Sequence, residues 1–158
     1  MKKRSFVFLL IIVMITGYST VSNNSKTNND SSNENLAFAD DSTTLDDLKY
    51  LFEEDGYTFS YENASKSFLE GDKVNVTLND QKNIQVFIYE SKIKADSDTQ
   101  HISADGFTYE RDGMTSITDW YEPPHFFKYN NIIILYVGSD EALLNFLSDN
   151  FGVPIAGE

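Results

Sequence analysis

Apolar and polar residues alternate over Val74-Asn75-Val76-Thr77-Leu78, the signature of a strand with one buried and one wet face. After a polar turn at 79–83 the pattern resumes from Ile84 to Tyr89, so residues 74–90 read as a β-hairpin. Upstream the spacing is helical. Leu45, Leu48, Leu51 and Phe52 share one face behind Thr44-Leu45-Asp46-Asp47, where acids suit the positive end of the helix dipole, and Gly56 stops the helix. Tyr57 to Tyr61 alternates as a strand, and 67–71 is a short extended piece. Ser91 to Ser103 is polar, with Ile93, Ala95, Thr99 and Ile102 as inward candidates, and predicts a helix ended by Asp105-Gly106. Strands are expected at 107–110 and 115–120 around the turn Arg111-Asp112-Gly113. Pro123-Pro124 is expected to interrupt pairing, since neither residue donates to a ladder.

A second hairpin follows, 125–129 and 132–137 around Asn130-Asn131. Its second strand, IIILYV, is apolar without alternation and therefore reads as a central strand covered on both faces. Ser139 is expected to cap a last helix, with Asp140 and Glu141 in its first turn. Leu143, Phe146 and Leu147 face the sheet, Leu144 stands beside them, and Gly152 and Pro154 end the helix. Hairpins dominate this order, which predicts a single α+β domain over 42–158: a mostly antiparallel sheet of hairpins with about three packed helices. Ile134 and Leu147 belong to its expected stability core.

The first 41 residues follow other rules. Lys2, Lys3 and Arg4 precede ten apolar residues, Phe6 to Ile15, a run of signal-peptide length and about half of what spans a bilayer. Residues 1–18 are thus expected to be an export signal. Ile15-Thr16-Gly17-Tyr18 is similar to a bacterial lipobox, with Tyr18 where the lipid-accepting cysteine would stand. Tyrosine cannot form the thioether. Two readings stay open: a lipoprotein signal without its acceptor, or a signal cut by ordinary signal peptidase after Ser19. Ser19 to Asn35 contains 13 Ser, Thr or Asn among 17 residues, so 19–41 is expected to be a disordered tether of the kind that holds a domain off a membrane.

Charge narrows the partners. The formal charge is −13, and loss of Lys2, Lys3 and Arg4 with the signal, which carries no acid, leaves −16. Such a surface repels nucleic acid, anionic lipid and teichoic-type polymers, and solubility alone also accounts for it. The absence of cysteine excludes a disulfide framework and thiol chemistry.

No HExxH, GxSxG, P-loop or GxGxxG occurs, and the two histidines, His101 and His125, have no serine placed beside them. Asp96-Ser97-Asp98 opens like a calcium loop, but His101 stands where the turn needs Gly and Phe107 where the bidentate Glu belongs. The acids at 40, 41, 46 and 47 read as a solvated helix start. No catalytic residue, metal site or cofactor is expected. The distinctive segment is 120–129, where Trp120, Tyr121, His125, Phe126, Phe127 and Tyr129 flank Pro123-Pro124. Placed outside, these rings form a stacking platform for sugars, peptide or a protein partner. Placed inside, Trp120 with Phe126 or Phe127 closes the core at a corner. With 22 aromatic residues the chain must bury most of them, which favours the second reading and leaves Tyr121 and Tyr129 outside.

Ser67-Phe68-Leu69-Glu70-Gly71, Ile88-Tyr89-Glu90 and Ile102-Ser103-Ala104-Asp105-Gly106 recur in order with Trp120 and Pro124-His125-Phe126-Phe127-Lys128. Ile134-Leu135-Tyr136-Val137-Gly138, Gly152 and Ala156-Gly157 complete the set. Over most of 45–157 the chain resembles uncharacterised small surface lipoproteins of Gram-positive bacteria. The resemblance implies a lipid-anchored extracytoplasmic domain and supplies no catalytic residue, and the chain departs from it at Tyr18. The expectation is a non-enzymatic cell-surface or secreted accessory and binding module. Its partner would be a protein or a cell-envelope component, with membrane proximity only through the signal or anchor and no nucleic acid. The alternatives are an exclusion or immunity protein acting on another membrane protein, which a toxin or mobile-element operon would favour, and a hydrolase using two convergent carboxylates.

Overall fold

The structure, a computed structural model, describes residues 42–157; the expected signal, the tether and Glu158 lie outside the described residues. The described chain is α+β. Helix α1 (Leu45–Glu54) leads into strands β1 (Phe59–Asn63), β2 (Asp72–Leu78) and β3 (Lys82–Ile88), then α2 (Lys92–Thr99). Strands β4 (Thr108–Arg111), β5 (Met114–Ile117), β6 (Pro124–Tyr129) and β7 (Ile132–Val137) follow, then α3 (Glu141–Phe151) and the two-residue β8 (Ala156–Gly157). Six strands form one sheet in the order β1-β2-β3-β7-β6-β8, with antiparallel neighbours throughout, and β4-β5 form a separate hairpin. Among the described residues no helix is long and apolar enough to cross a membrane.

Local chemistry explains the ends of the helices. Thr44 and Asp47 form a reciprocal capping box on α1, the Asp47 N–H donating to Thr44 Oγ1 (3.2 Å) and the Thr44 N–H to Asp47 Oδ2 (2.8 Å). At its other end Tyr57 N donates to Phe52 O (3.0 Å) and Gly56 N to Glu53 O (3.1 Å), a Schellman pair whose left-handed residue is Gly56 (φ 88°). Tyr57 is used up in that motif, so β1 begins at Phe59 rather than at the expected Tyr57. The cap of α3 is Asp140, which accepts from Leu143 N (2.9 Å), and not Ser139, whose hydroxyl turns to Glu122 (3.2 Å). Helix α2 is shorter than its polar run suggested. After Thr99 the chain pairs with β4, through Glu110 N to His101 O (2.9 Å) and Ser103 N to Thr108 O (2.8 Å). Strand β5 likewise ends at Ile117, short of the expected Trp120.

Pro123-Pro124 is no interruption. Pro124 is the first residue of β6, opposite Val137, and Pro123 contributes a carbonyl, which accepts from Gly138 N at 3.0 Å. The other edge of β6 is closed by β8, where Gly157 is required: a Cβ there would stand 1.8 Å from the Pro124 carbonyl oxygen.

The sheet has apolar cover on two sides, and strand alternation allots each residue to one of them. Val74, Val76, Leu78, Ile84, Val86, Phe127, Ile132, Ile134 and Tyr136 pack with Leu48 and Phe52 of α1 and Leu143, Phe146, Leu147 and Phe151 of α3. Phe87, Tyr89, Phe126, Ile133 and Leu135 pack on the other side with Ala95 of α2, Tyr109 of β4 and Leu69. Strand β7 is thus buried on both faces, as its unbroken apolar run requires. This second layer covers only part of its face. On β2 and the first half of β3 the same face carries Lys73, Asn75, Thr77, Asn83 and Gln85, none of them buried. That bare half of the sheet is the floor of the site described next.

Candidate functional site

The sheet registers line up polar side chains in rows across the strands. Glu62 of β1 stands beside Asn75 of β2, Asn75 beside Gln85 of β3, and Gln85 beside Leu135 of β7. The neighbouring row runs Ser60, Thr77, Asn83. Above them lies an open cleft of about 800 Å³, walled by Trp120, Tyr121 and Glu122 after β5 and by Gly138, Ser139 and Asp140 after β7. Thr77 Oγ1 donates to Asn83 Oδ1 (3.0 Å), which leaves the Asn83 amino group uncommitted. Among the described residues the side chains of Glu62, Asn75 and Gln85 make no hydrogen bond, so their donors and acceptors face the cleft. At one end Lys82 pairs with Asp140 (2.7 Å), and that bond, with the Leu143 N–H, holds the Asp140 carboxyl below the usual carboxylate range.

The wall is fixed on one side and loose on the other. The indole N–H of Trp120 donates to Gly106 O (3.0 Å), and its ring meets Phe68 edge-on at 6.4 Å. Phe68 and Gly106 both pack against Phe126, so Trp120 stands over the β6–β7 side of the floor. Tyr121 projects beyond it, 89% exposed.

The remaining rings of the 120–129 segment do not join this wall. Phe126 and Phe127 are fully buried and point to opposite faces of the sheet, one into each core. His125 is buried against Tyr136 (ring centroids 6.2 Å, 22° between planes), and its Nε2–H donates to Gly138 O (3.0 Å). Tyr129 is exposed but lies on the α3 side, edge-on to Phe151. A single six-ring platform is therefore not formed; Trp120 and Tyr121 alone line the cleft.

A second polar cluster escaped the sequence reading. Asp98, expected on a solvated helix face, is 1% exposed. Its Oδ2 accepts from Tyr89 Oη (2.6 Å) and Glu70 N (2.8 Å), and its Oδ1 accepts from Tyr109 Oη (2.6 Å), with Arg111 Nη1 at 3.5 Å. Arg111 also pairs with Glu70 at 2.6 Å. Gly71 lets this happen, since a Cβ there would stand 2.8 Å from the Tyr89 ring. Three hydrogen-bond donors and the Arg111 guanidinium thus surround the carboxylate. The carboxylate therefore ties α2, β4, the 67–71 loop and Tyr89, the residue after β3, together, and it is shut away from solvent. Asp96, two residues earlier, points elsewhere and pairs with Lys92 and Lys128, which lower its pKa. The pair that opens like a calcium loop is thus split between two unrelated sets of partners.

The tyrosines of this cluster give a pH signature. Burial first, and the Asp98 carboxylate second, push the Tyr109 hydroxyl up to about 12 and the Tyr89 hydroxyl higher still. An unfolded tyrosine ionises near pH 10. Below that both states keep the proton and the stabilisation is complete; above it only the unfolded chain loses the proton, so stability falls between about pH 10 and 12. An absorbance titration at about 295 nm should show the solvent-facing phenols ionising reversibly, ahead of this buried pair. Tyr89 and Tyr109 should ionise only together with loss of far-ultraviolet ellipticity. One smooth titration of all tyrosines in a chain that stays folded would contradict the burial of this cluster.

The chain matches no protein-family model, and neither a curated protein nor a solved structure proves similar to it.

Proposed function

We propose that this protein is an exported, non-enzymatic binding module that engages a component of the cell envelope through the cleft over β1–β3. One observation carries the reading. The polar groups of the Asp98 cluster are consumed by one another, whereas the row Glu62, Asn75, Gln85 keeps its hydrogen-bonding capacity beside an indole and a projecting phenol. Concave placement, uncommitted polar groups and an aromatic wall are the ingredients of a recognition site. The cationic run and apolar stretch before residue 18 support export, and the family resemblance supports residence at the surface.

Two experiments test it. The full chain, immobilised, should retain material from detergent-free envelope fragments of its host. Gln85→Ala and Tyr121→Ala should each lose most of that capture without a change in urea midpoint, whereas Tyr50→Ala, exposed on the outer face of α1, should not. Capture that ignores both cleft substitutions would sink the cleft as the binding site. Anchoring is tested separately. The natural sequence should take up no radiolabelled palmitate, because Tyr18 lacks a thiol, and Tyr18→Cys should take up label and move to the membrane fraction. An unlabelled Tyr18→Cys protein would leave the lipobox similarity accidental.

A further inference from the structure

Resting on that reading, we infer that the occupant of the cleft is an uncharged glycan chain, lying across the strands with one ring on the Trp120–Tyr121 wall. Each property of the cleft removes another class of ligand. The floor is polar side chains rather than an apolar trough, so it gives a lipid tail or an amphipathic helix nothing to bury against. Its charged members are the acids Glu62, Glu122 and Asp140 and a single cation, Lys82, already neutralised by Asp140. In a chain of formal charge −13 this excludes phosphate-bearing polymers, nucleic acid and acidic peptide.

What the floor offers is a set of side-chain amides and hydroxyls, groups that both donate and accept and so match the vicinal hydroxyls and amides of a sugar. Glu62 adds an acceptor that can take two hydroxyls at once. The geometry is periodic in the required direction. Adjacent strands are spaced by about 4.8 Å, close to the advance per residue of an extended β-linked hexose chain. The Glu62–Asn75–Gln85 row therefore meets successive sugar rings with successive side chains. Beyond Gln85 the row continues as Leu135 under the Trp120 wall, where a pyranose can lay its C–H face on an aromatic ring. Polar edges on the strands and a stacking surface at one end suit a ligand with two apolar faces and a rim of hydroxyls.

The test uses chitohexaose and cellohexaose as probes in ¹H–¹⁵N titrations of the full chain, with polyglutamate as an anionic control. Saturable shifts are expected from at least one hexaose, at the side-chain amides of Asn75, Asn83 and Gln85 and at the Trp120 indole N–H. Gln85→Ala and Tyr121→Ala should weaken binding at least tenfold with an unchanged unfolding midpoint, and polyglutamate should cause no shift. Absence of shifts with both hexaoses at millimolar concentration would overturn the inference. Shifts confined to residues outside the cleft would overturn it too. The envelope capture described above separates this failure from that of the binding module itself. Cleft-dependent capture that survives digestion of the envelope with glycan-cleaving hydrolases (lysozyme, chitinase, cellulase) but not protease treatment keeps the module and refutes the glycan. Capture lost on that digestion and kept after protease supports it.

Discussion

Asp98→Ala should lower the stability of this protein by about 3–5 kcal/mol, the range observed when one partner of a buried charged network is removed. The reason lies in what stays behind. Tyr89 and Tyr109 would keep buried hydroxyls with nothing to accept their protons, Glu70 would lose the acceptor of its backbone N–H, and Arg111 would lose one of its three carboxylates. A domain of this size has about 5–15 kcal/mol to lose, so the variant should unfold at a much lower urea concentration with a similar slope. Tyr109→Phe removes one donor and leaves the others, and should cost about 1.5–3 kcal/mol, as expected for a hydrogen bond to a charged group. An Asp98→Ala midpoint within error of the natural protein would mean that the cluster contributes nothing net.

The second large effect separates the rings of the 120–129 segment. Phe126→Ala and Phe127→Ala should each cost about 3–5 kcal/mol, the usual range for a buried phenylalanine. Each vacates a fully buried site, on opposite faces of the sheet, and Phe126 also holds Phe68 and the turn at Gly106. Tyr121→Ala removes a ring that is 89% exposed and should stay within about 0.5 kcal/mol of the natural protein. Two of these substitutions lie next to one another in sequence, yet their effects should be additive, because the sheet itself separates their side chains. If Tyr121→Ala destabilised the protein as much as Phe127→Ala, Tyr121 would be structural and the cleft would lose its outer wall.

These two results trace the border of what the sequence discloses. The β2–β3 hairpin was legible because alternation of Val74, Val76 and Leu78 with Asn75 and Thr77 has one structural reading. The same letters held the floor of the site, since the polar residues of a strand in one face share the opposite face. What they could not say was whether that face would be covered. Strand β7 was legible for the opposite reason: a run with no polar position has no face to spare for water.

The α+β class and the antiparallel hairpins followed from such patterns. Asp98 did not, because a polar helix of eight residues gives no period from which to pick its inner face. Of the inward candidates Ile93, Ala95, Thr99 and Ile102, Ala95 is buried, but Ile93 faces solvent at 79% exposure while Asp98 goes inside. Its tyrosine partners come from just after β3 and from β4, and only the fold brings them together. A hint was present in Tyr89 and Tyr109, which stand 9 and 11 positions from Asp98 on either side of it. The corrections at Ser139 and at Pro123-Pro124 share a cause. A rule about what proline cannot donate, or about which hydroxyl comes first, misses the carboxylate one residue on and the carbonyl that proline keeps.

The order in which the sheet is threaded has a consequence for how it is reached. Strands β1, β2 and β3 are a simple meander whose contacts are close in sequence, but the centre of the sheet is the β3–β7 pairing, and β7 lies far down the chain. The start of α1 is likewise tied to the β6–β7 turn, Thr43 N donating to Asn131 Oδ1 across 88 positions at 2.6 Å. Closing such long loops costs entropy before any contact repays it, so this domain should fold more slowly than a helical protein whose contacts are local. Until β7 is synthesised, β3 is paired only with β2 and presents an open edge, and Phe87 lacks its neighbour Ile133. A chain cut before residue 132 would therefore not be a smaller version of this domain. It would carry the β1–β2–β3 meander, the β4–β5 hairpin and a β6 with no β7 to pair with, and the bare edge of β3 is the kind from which strands recruit one another into aggregates.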